Sequence, residues 1–104
     1  MKIQINTDNH IEGTQALTEQ VEATVRSALT RFADSISRIE VHLSDENGPK
    51  ASDDDKRCLI EARLAGRQPI AVSHQGGTVL EAVGGAADKL ERALETVQGK
   101  QRTF

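Results

Sequence analysis

The chain has 104 residues, of which only two are aromatic, and a formal net charge of −3. This length is typical of one domain with a modest hydrophobic core. The scarcity of aromatic rings excludes base stacking on a sheet, and the acidic balance argues against a general nucleic-acid binder. No apolar run is long enough to span a membrane, and the opening MKIQINTDN lacks the apolar stretch of a signal peptide, so we expect a cytoplasmic protein.

The first part of the chain predicts a strand, a helix and a second strand. Ile3 and Ile5 alternate with polar residues, as in a half-buried strand. Thr14 is a suitable N-cap, and we expect a helix from about residue 15 to about residue 34. The apolar stripe of this helix consists of Leu17, Val21, Val25, Ala28, Leu29 and Phe32. A second alternating pattern over residues 39–43 predicts the next strand.

The middle of the chain predicts an acidic loop and two further strands. Residues 45–55, DENGPKASDDD, combine five acids with Gly and Pro, which favours a solvated loop over a cation site because no EF-hand spacing is present. Apolar residues alternate over 58–64 and again from Ile70 to Val72. Residues 65–69 between them are typical of a hairpin connection.

The last third predicts a capped amphipathic helix. Thr78 followed by Glu81 is a capping-box pair, in which each side chain satisfies a backbone N–H of the other residue. The apolar stripe of this helix consists of Leu80, Val83, Ala87, Leu90, Leu94 and Val97. Gly84 and Gly85 interrupt the pattern and permit a close approach to another helix or to the sheet; the sequence leaves both alternatives open.

The order β-α-β-β-β-α predicts an α+β two-layer sandwich. The strand–helix–strand unit makes the first two strands parallel, and short turns make the remaining strands antiparallel. Both helices would then cover one face of a four-stranded mixed sheet. The other face would be polar, with Lys2, Gln4, Asn6, Arg38, Glu40, His42, Arg57, Glu61, Arg63 and Ser73. We expect residues 1–104 to form a single domain, since no repeat or linker interrupts the series.

Several segments together resemble one known family. They are KIQINTDNHIEGT with QALTEQVEATVRSALTRF, the strand RIEVHLS, the paired strands CLIEARL and PIAVSHQGG, and DKLERAL at 88–94. This series is similar to the ribosome hibernation-promoting and ribosome-associated inhibitor family, also labelled sigma-54 modulation proteins. The resemblance covers nearly the whole chain, and its specificity comes from the series of segments rather than from any single one.

The resemblance implies a non-catalytic factor without a cofactor. It implies binding in a cleft of the small ribosomal subunit, where the path of messenger and transfer RNA is blocked and translation is repressed under stress or in stationary phase. Longer members add a domain that pairs ribosomes, so we expect this chain to be a short form. Family members usually carry a strongly basic tail, whereas ETVQGKQRTF has only Lys100 and Arg102 as cations. Because salt dependence scales with the phosphates neutralised, we expect weak, salt-sensitive RNA binding.

Seven basic residues are the candidate contacts to ribosomal RNA phosphates. They are Arg57, Arg63 and Arg67 around the third strand, and Lys89, Arg92, Lys100 and Arg102 on the last helix. The alternative interpretation is an ordinary solvated surface, because Glu61 lies between two of the arginines and Asp88 can pair with Arg92. The alternative function is a protein-interaction module of the same fold that has lost its affinity for ribosomal RNA.

The pattern of histidine and cysteine residues favours neither a metal site nor an enzyme. His10, His42 and His74 lie in three different predicted elements, without the close pairing of zinc motifs, so we expect no metal site. Cys58 alternates with Ile60 on the predicted core face, which indicates a buried and unreactive thiol. The order of Ser, His and acidic residues does not indicate a nucleophilic site, and we expect no small-molecule substrate.

Overall fold

A computed structural model describes residues 1–46 and 55–102, except for the side chains of residues 99–102. The elements in chain order are β1 (Lys2–Thr7), α1 (Gln15–Leu29), a 3₁₀ segment (Thr30–Ser35), β2 (Ile36–Asp45), β3 (Lys56–Leu64), β4 (Ile70–Gly76) and α2 (Val79–Arg102). This order confirms the predicted α+β fold. Within the described ranges, no helix is both long and apolar enough to cross a membrane.

The four strands form one mixed sheet in the order β1-β2-β3-β4. β1 pairs with β2 in parallel, whereas the pairs β2–β3 and β3–β4 are antiparallel, as the sequence predicts. In this register Ile39 lies between Ile3 on β1 and Ala62 on β3. Apolar side chains therefore align across neighbouring strands on one face, and α1 and α2 cover that face.

The core lies between the helices and the sheet. Val21, Val25 and Leu29 of α1 are fully buried, together with Ile60 of β3 and Leu90 of α2. The helical stripes supply one side of this core and the alternating strand residues supply the other. The free energy gained by burying this apolar surface holds the two layers together.

The first helix is shorter than predicted. Regular α-helix ends at Leu29, and the chain continues as a 3₁₀ segment up to Ser35. The Thr30 side chain donates a hydrogen bond back to the Arg26 carbonyl at 2.7 Å, and a tighter 3₁₀ turn is common at a helix C-terminus. Phe32 is buried within this segment, so the last apolar residue of the predicted stripe still reaches the core.

The predicted stripe of α2 is wrong at Leu80, whose exposure is 41%. Ala82 is buried instead, and Val79 packs against the core. Successive residues are about 100° apart around an α-helix, so turning Val79 and Ala82 toward the sheet turns Leu80 outward. The remainder of the stripe follows the prediction from Val83 to Leu94, both of which are buried.

Both helices begin at the predicted caps. Thr14 Oγ1 accepts a hydrogen bond from the Leu17 N–H at 3.1 Å, and Thr78 Oγ1 accepts one from the Glu81 N–H at 3.1 Å. The Glu81 carboxylate reaches back to the Gly77 N–H at 3.1 Å, one residue before the position that a capping box predicts. These bonds satisfy backbone donors that the helices themselves leave unpaired.

The predicted acidic loop is only partly within the described residues, because residues 47–54 lie outside them. Asp45 ends β2, and Asp55 is buried at 4% exposure rather than solvated, which corrects the prediction at that residue. Lys56 Nζ lies 2.8 Å from Asp55 Oδ1 and 3.4 Å from Asp45 Oδ2. Hydrogen bonding to Asp55 raises the pKa of Lys56. The buried carboxylate therefore has a cationic partner, which burial of a charge requires.

The close approach that Gly85 permits is between α2 and the sheet. A Cβ atom on Gly85 would overlap the imidazole of His74 on β4, whereas a Cβ on Gly84 would meet open space. The two adjacent glycines therefore differ sharply in their surroundings. Gly85 allows the helix to lie directly on His74, and this contact selects the helix–sheet alternative that the sequence left open.

We predict that Gly85→Ala lowers the free energy of unfolding by about 1–3 kcal/mol, because the added methyl group overpacks the contact with His74. The matched control is Gly84→Ala, which should leave this free energy unchanged or raise it by up to ~1 kcal/mol, because alanine is the better helix former. Urea denaturation measures both variants.

The double variant His74→Ala/Gly85→Ala separates overpacking from a backbone effect at Gly85. Removing the His74 imidazole makes room for the methyl group at residue 85. The double variant should therefore recover part of the stability that Gly85→Ala alone loses. Equal stability of Gly84→Ala and Gly85→Ala would contradict the proposed contact.

Cys58 lies in β3 on the core face and is fully buried, as the sequence predicts. Burial raises the pKa of its thiol to about 12, because the charged thiolate is poorly solvated inside the core. The nucleophilic form is the thiolate, so its population is very small at neutral pH.

We therefore predict that the native protein resists thiol-specific reagents at about pH 8, near the ordinary pKa of a free cysteine. The same reagents should react rapidly once denaturant unfolds the chain, and a colorimetric thiol assay measures both rates. A native rate close to that of the unfolded chain would show that the thiol is accessible.

Candidate nucleic-acid interface

The face of the sheet that points away from the helices, called the open face below, arranges its charges in rows across the strands. Lys2 pairs in register with Arg38, and Arg38 pairs in turn with Arg63. These three residues of β1, β2 and β3 form a cationic row. Neighbouring strands lie about 4.8 Å apart, so the row concentrates three positive charges over a short distance.

The members of the cationic row differ in their partners. Arg38 is half-buried; its guanidinium lies 3.1 Å from Glu40 Oε1 and also donates to the side-chain carbonyl of Gln4. Lys2 and Arg63 are exposed, and no ion pair joins either side chain to another of the described residues. Like charges directly opposite one another in a sheet repel, so an anion bound across this row would be stabilised.

The next positions along the open face carry the opposite charge. Glu40 lies directly opposite Glu61, and His42 follows Glu40 on the same face of β2. The His42 Nε2 atom is 3.4 Å from Glu61 Oε1 and 3.9 Å from Glu40 Oε2. We call Glu40, His42 and Glu61 the Glu–His–Glu cluster.

Arg57 lies beyond this cluster, toward the other end of β3. It pairs in register with Ser44 and Gln75, and its Nε lies 3.8 Å from a carboxylate oxygen of Glu46. The strands of the open face therefore carry four cations and the two carboxylates of the Glu–His–Glu cluster. The cations are Lys2, Arg38, Arg57 and Arg63. The open face is thus more positive than the net charge of −3 suggests.

Two of the seven predicted contacts share the open face, and a third does not. Arg57 and Arg63 lie on this face, as expected for residues an even number of positions apart on one strand. Arg67 belongs to the β3–β4 hairpin and lines a cavity of about 270 Å³, together with Asp34 and Leu94. The predicted group around β3 is therefore divided between two surfaces.

The predicted contacts on α2 lie on the other side of the sheet. Lys89 Nζ donates to the Ser73 carbonyl of β4 at 2.8 Å, which ties this cation to the edge of the sheet. Arg92 is exposed, and the alternative pairing with Asp88 does not occur among the described ion pairs. Lys100 and Arg102 belong to the last turns of α2, and their side chains lie outside the described part of the chain.

Acidic residues of α2 lie on the flank that faces the end of α1. The Arg31 guanidinium lies 3.6 Å from Glu91 Oε2 and also pairs with Glu95. The same guanidinium stacks on Phe32, with 4.6 Å between its central carbon and the ring centroid. Two carboxylates of α2 are thereby engaged within the fold.

The candidate residues did not include Lys2 and Arg38. The alternating pattern places both on the polar face, but they lie far apart in the chain. Their proximity to Arg63 follows only from the parallel pairing of β1 with β2 and from the β2–β3 register. The sequence signal that could have found them is the position of Ile3 and Ile39. Each of these isoleucines marks the core face of its strand, so the charged residue next to it must lie on the opposite face.

The three histidines remain apart, as the sequence predicts. His10 lies between β1 and α1, His42 lies on the open face, and His74 contacts α2. The cluster of potential metal-ligating atoms that the described residues contain joins one histidine, His42, to Glu40 and Glu61. The spacing of histidines along the chain does not reveal this combination, because two of its three members are glutamates on neighbouring strands.

Comparisons with known proteins agree with this fold. The profile of the sigma 54 modulation protein / S30EA ribosomal protein family matches residues 3–102. The structure of the Protein Y N-terminal domain from Thermus thermophilus is similar with a TM-score of 0.73 and 24% sequence identity, covering 93% of this chain and 99% of that chain. A ribosomal subunit interface protein from Coxiella burnetii has a TM-score of 0.77 and 20% identity, covering 95% of this chain and 99% of that chain.

No curated protein matches the sequence of this chain. At the identities of the two solved structures, their likeness shows the fold, whereas the family profile extends over nearly every residue of the chain. The chain belongs to the sigma 54 modulation protein / S30EA ribosomal protein family.

Proposed function

We propose that the chain binds the small ribosomal subunit as a single domain in the cytoplasm and represses translation under stress or in stationary phase. It acts by occupying the path of messenger and transfer RNA, without catalysing a reaction. The observation that carries this proposal is the family match over residues 3–102. The similarity to a ribosomal subunit interface protein supports the same assignment.

The cationic row provides the physical basis for recognition of RNA. Lys2, Arg38 and Arg63 are adjacent across three strands, and two of them have no ion-pair partner among the described side chains. Arginine presents several N–H donors in a planar group that matches phosphate oxygens, so two arginines and a lysine suit a phosphate backbone. Such contacts position a protein on RNA and require no particular base sequence.

The other predicted contacts should contribute to RNA binding to different extents, depending on whether their side chains already have partners. Arg92 is exposed and without an ion pair in the described part of α2, so it is a suitable second contact. Lys89 would have to give up its hydrogen bond to Ser73, and Arg57 lies close to Glu46, so both would contribute less. Arg92 would meet RNA on the opposite side from the cationic row, and Lys100 and Arg102 belong to the same helix. A protein held in a cleft can contact both walls.

The acidic net charge limits affinity but does not exclude this function. Long-range attraction to RNA follows the net charge, whereas short-range contacts depend on the local arrangement of cations. With few phosphates neutralised, binding should be modest and should decrease as salt rises.

We predict that Lys2→Gln/Arg63→Gln weakens binding to purified small ribosomal subunits. Each phosphate that is no longer neutralised should reduce the slope of log K against log salt by about 0.7 to 0.9, because fewer counterions are released on binding. Co-sedimentation at a series of salt concentrations between about 50 and about 200 mM measures this slope. The matched control is Arg26→Gln on α1, which removes a cation already paired with Glu22 at 3.0 Å and should leave the slope unchanged.

The same assay on Arg92→Gln tests the helix side separately. A loss of affinity in this variant alone would assign the contact to α2 and contradict the role of the open face. No binding of the unaltered chain even at the lowest salt would overturn recognition of the RNA backbone and leave the protein-interaction module as the remaining function.

A further inference from the structure

The Glu–His–Glu cluster on the open face is unexplained by RNA binding, since two of its three members are anionic. One donor atom from each of Glu40, His42 and Glu61 lies within 4.8 Å of the other two. The three side chains are held by neighbouring strands of a paired sheet, so their backbone positions are fixed by the β2–β3 register. Rigid elements hold ligand sets more accurately than loops.

Two features of this cluster indicate that it is suited to bind a cation. Glu40 and Glu61 are directly opposite each other in an antiparallel pair, where like charges destabilise a sheet. Arg38 pairs with Glu40 but not with Glu61 among the described ion pairs. The second feature is the His42 Nε2 atom, which is shielded from solvent although the imidazole as a whole is 39% exposed. This atom lies close to Glu61 but makes no hydrogen bond of good geometry with another described residue, and the neighbouring Arg38 Nε is unsatisfied in the same way. Buried polar atoms of this kind normally have a partner.

One of the separations between donor atoms already suits a small tetrahedral metal ion. Zinc binds imidazole nitrogen and carboxylate oxygen at about 2.0–2.2 Å, and tetrahedral geometry then places neighbouring donor atoms roughly 3.3–3.5 Å apart. The separation of 3.4 Å between His42 Nε2 and Glu61 Oε1 matches this value. The separation of 3.9 Å to Glu40 Oε2 is longer, so zinc binding requires a rotation of this partly exposed glutamate toward the other two ligands.

We propose that Glu40, His42 and Glu61 bind one Zn²⁺ ion on the open face, with water in the fourth position. An imidazole ligand favours zinc over Mg²⁺ and Ca²⁺, which prefer sites built from oxygen alone. The ion would bridge the two opposed carboxylates and accept the lone pair of His42 Nε2. Because Arg38 competes for Glu40 and the site is partly exposed, zinc should exchange with solvent.

Zinc binding would also change the electrostatics of the open face. The ion adds two positive charges beside the cationic row and removes the negative centre that separates this row from Arg57. Zinc should therefore strengthen phosphate binding at this face. This consequence rests on the proposed function, whereas metal binding itself does not and can be tested without ribosomes.

The test is calorimetric titration of the untagged full chain with zinc chloride at about pH 7.5, where a free imidazole is mostly neutral. We expect one Zn²⁺ per chain, with affinity lower by about tenfold or more in His42→Ala and in Glu61→Gln, because each variant loses a direct ligand. The matched controls are His10→Ala and Glu19→Gln, which lie outside the sheet and should bind zinc as the unaltered chain does. Circular dichroism checks that each variant remains folded.

Two further measurements test whether the metal binds at His42. Co²⁺ in place of zinc should give the intense visible absorption of a tetrahedral complex in the unaltered chain and not in His42→Ala. Zinc should also raise the melting temperature of the unaltered chain but not that of His42→Ala, because a ligand stabilises the state that binds it. Failure of the unaltered chain to bind zinc would overturn the proposal and leave only the direct contacts between His42 and the two glutamates. Equal zinc affinity in His42→Ala would overturn it as well.

Discussion

The register of β2 is the constraint on which both faces of the sheet depend. β2 is paired on both sides, in parallel with β1 and antiparallel with β3. Side chains alternate along a strand, so a shift of one residue would exchange the core face and the open face. In the observed register the helices cover Ile39 and Val41, while Arg38 and Glu40 face outward. The hydrophobic core fixes this register, and the register in turn assembles the charged rows.

An irregularity at the start of β2 brings the cationic row together. Ile36 pairs with Leu64 and Arg38 pairs with Arg63, so Ser37 is an extra residue, as in a β-bulge. The Ser37 hydroxyl donates to the Arg63 carbonyl at 3.1 Å, which stabilises the irregular pairing. The bulge allows Ile36 and Ile39 to be buried together although strict alternation would place them on opposite faces. Simple alternation therefore predicts the strand only from Ile39 onward.

The sequence predicted most of the fold because its apolar periodicity is strong. The α1 stripe and the alternating residues of β3 reach the core as expected, and both helices start at their predicted caps. The errors lie at element ends, where Leu80 turns outward and Asp55 is buried beside Lys56. Periodicity reports which face a residue shares with its neighbours, but not where a helix first meets the sheet or which charged side chains pair.

The candidate site was less predictable than the fold, because its members are distant in the chain. Lys2, Arg38 and Arg63 become neighbours only through strand pairing, as do Glu40 and Glu61. The net charge of the chain does not reveal that cations and carboxylates lie in separate rows on the sheet. Taken alone, the excess of acids suggests a protein without affinity for RNA. We propose instead that a locally positive sheet face contacts phosphates.

The most direct test is the structure of the chain bound to a small ribosomal subunit, determined by electron cryomicroscopy. We predict that the open face lies against RNA, with phosphate oxygens within hydrogen-bond distance of Lys2, Arg38 and Arg63. An open face that points to solvent, or that contacts only ribosomal protein, would contradict this account.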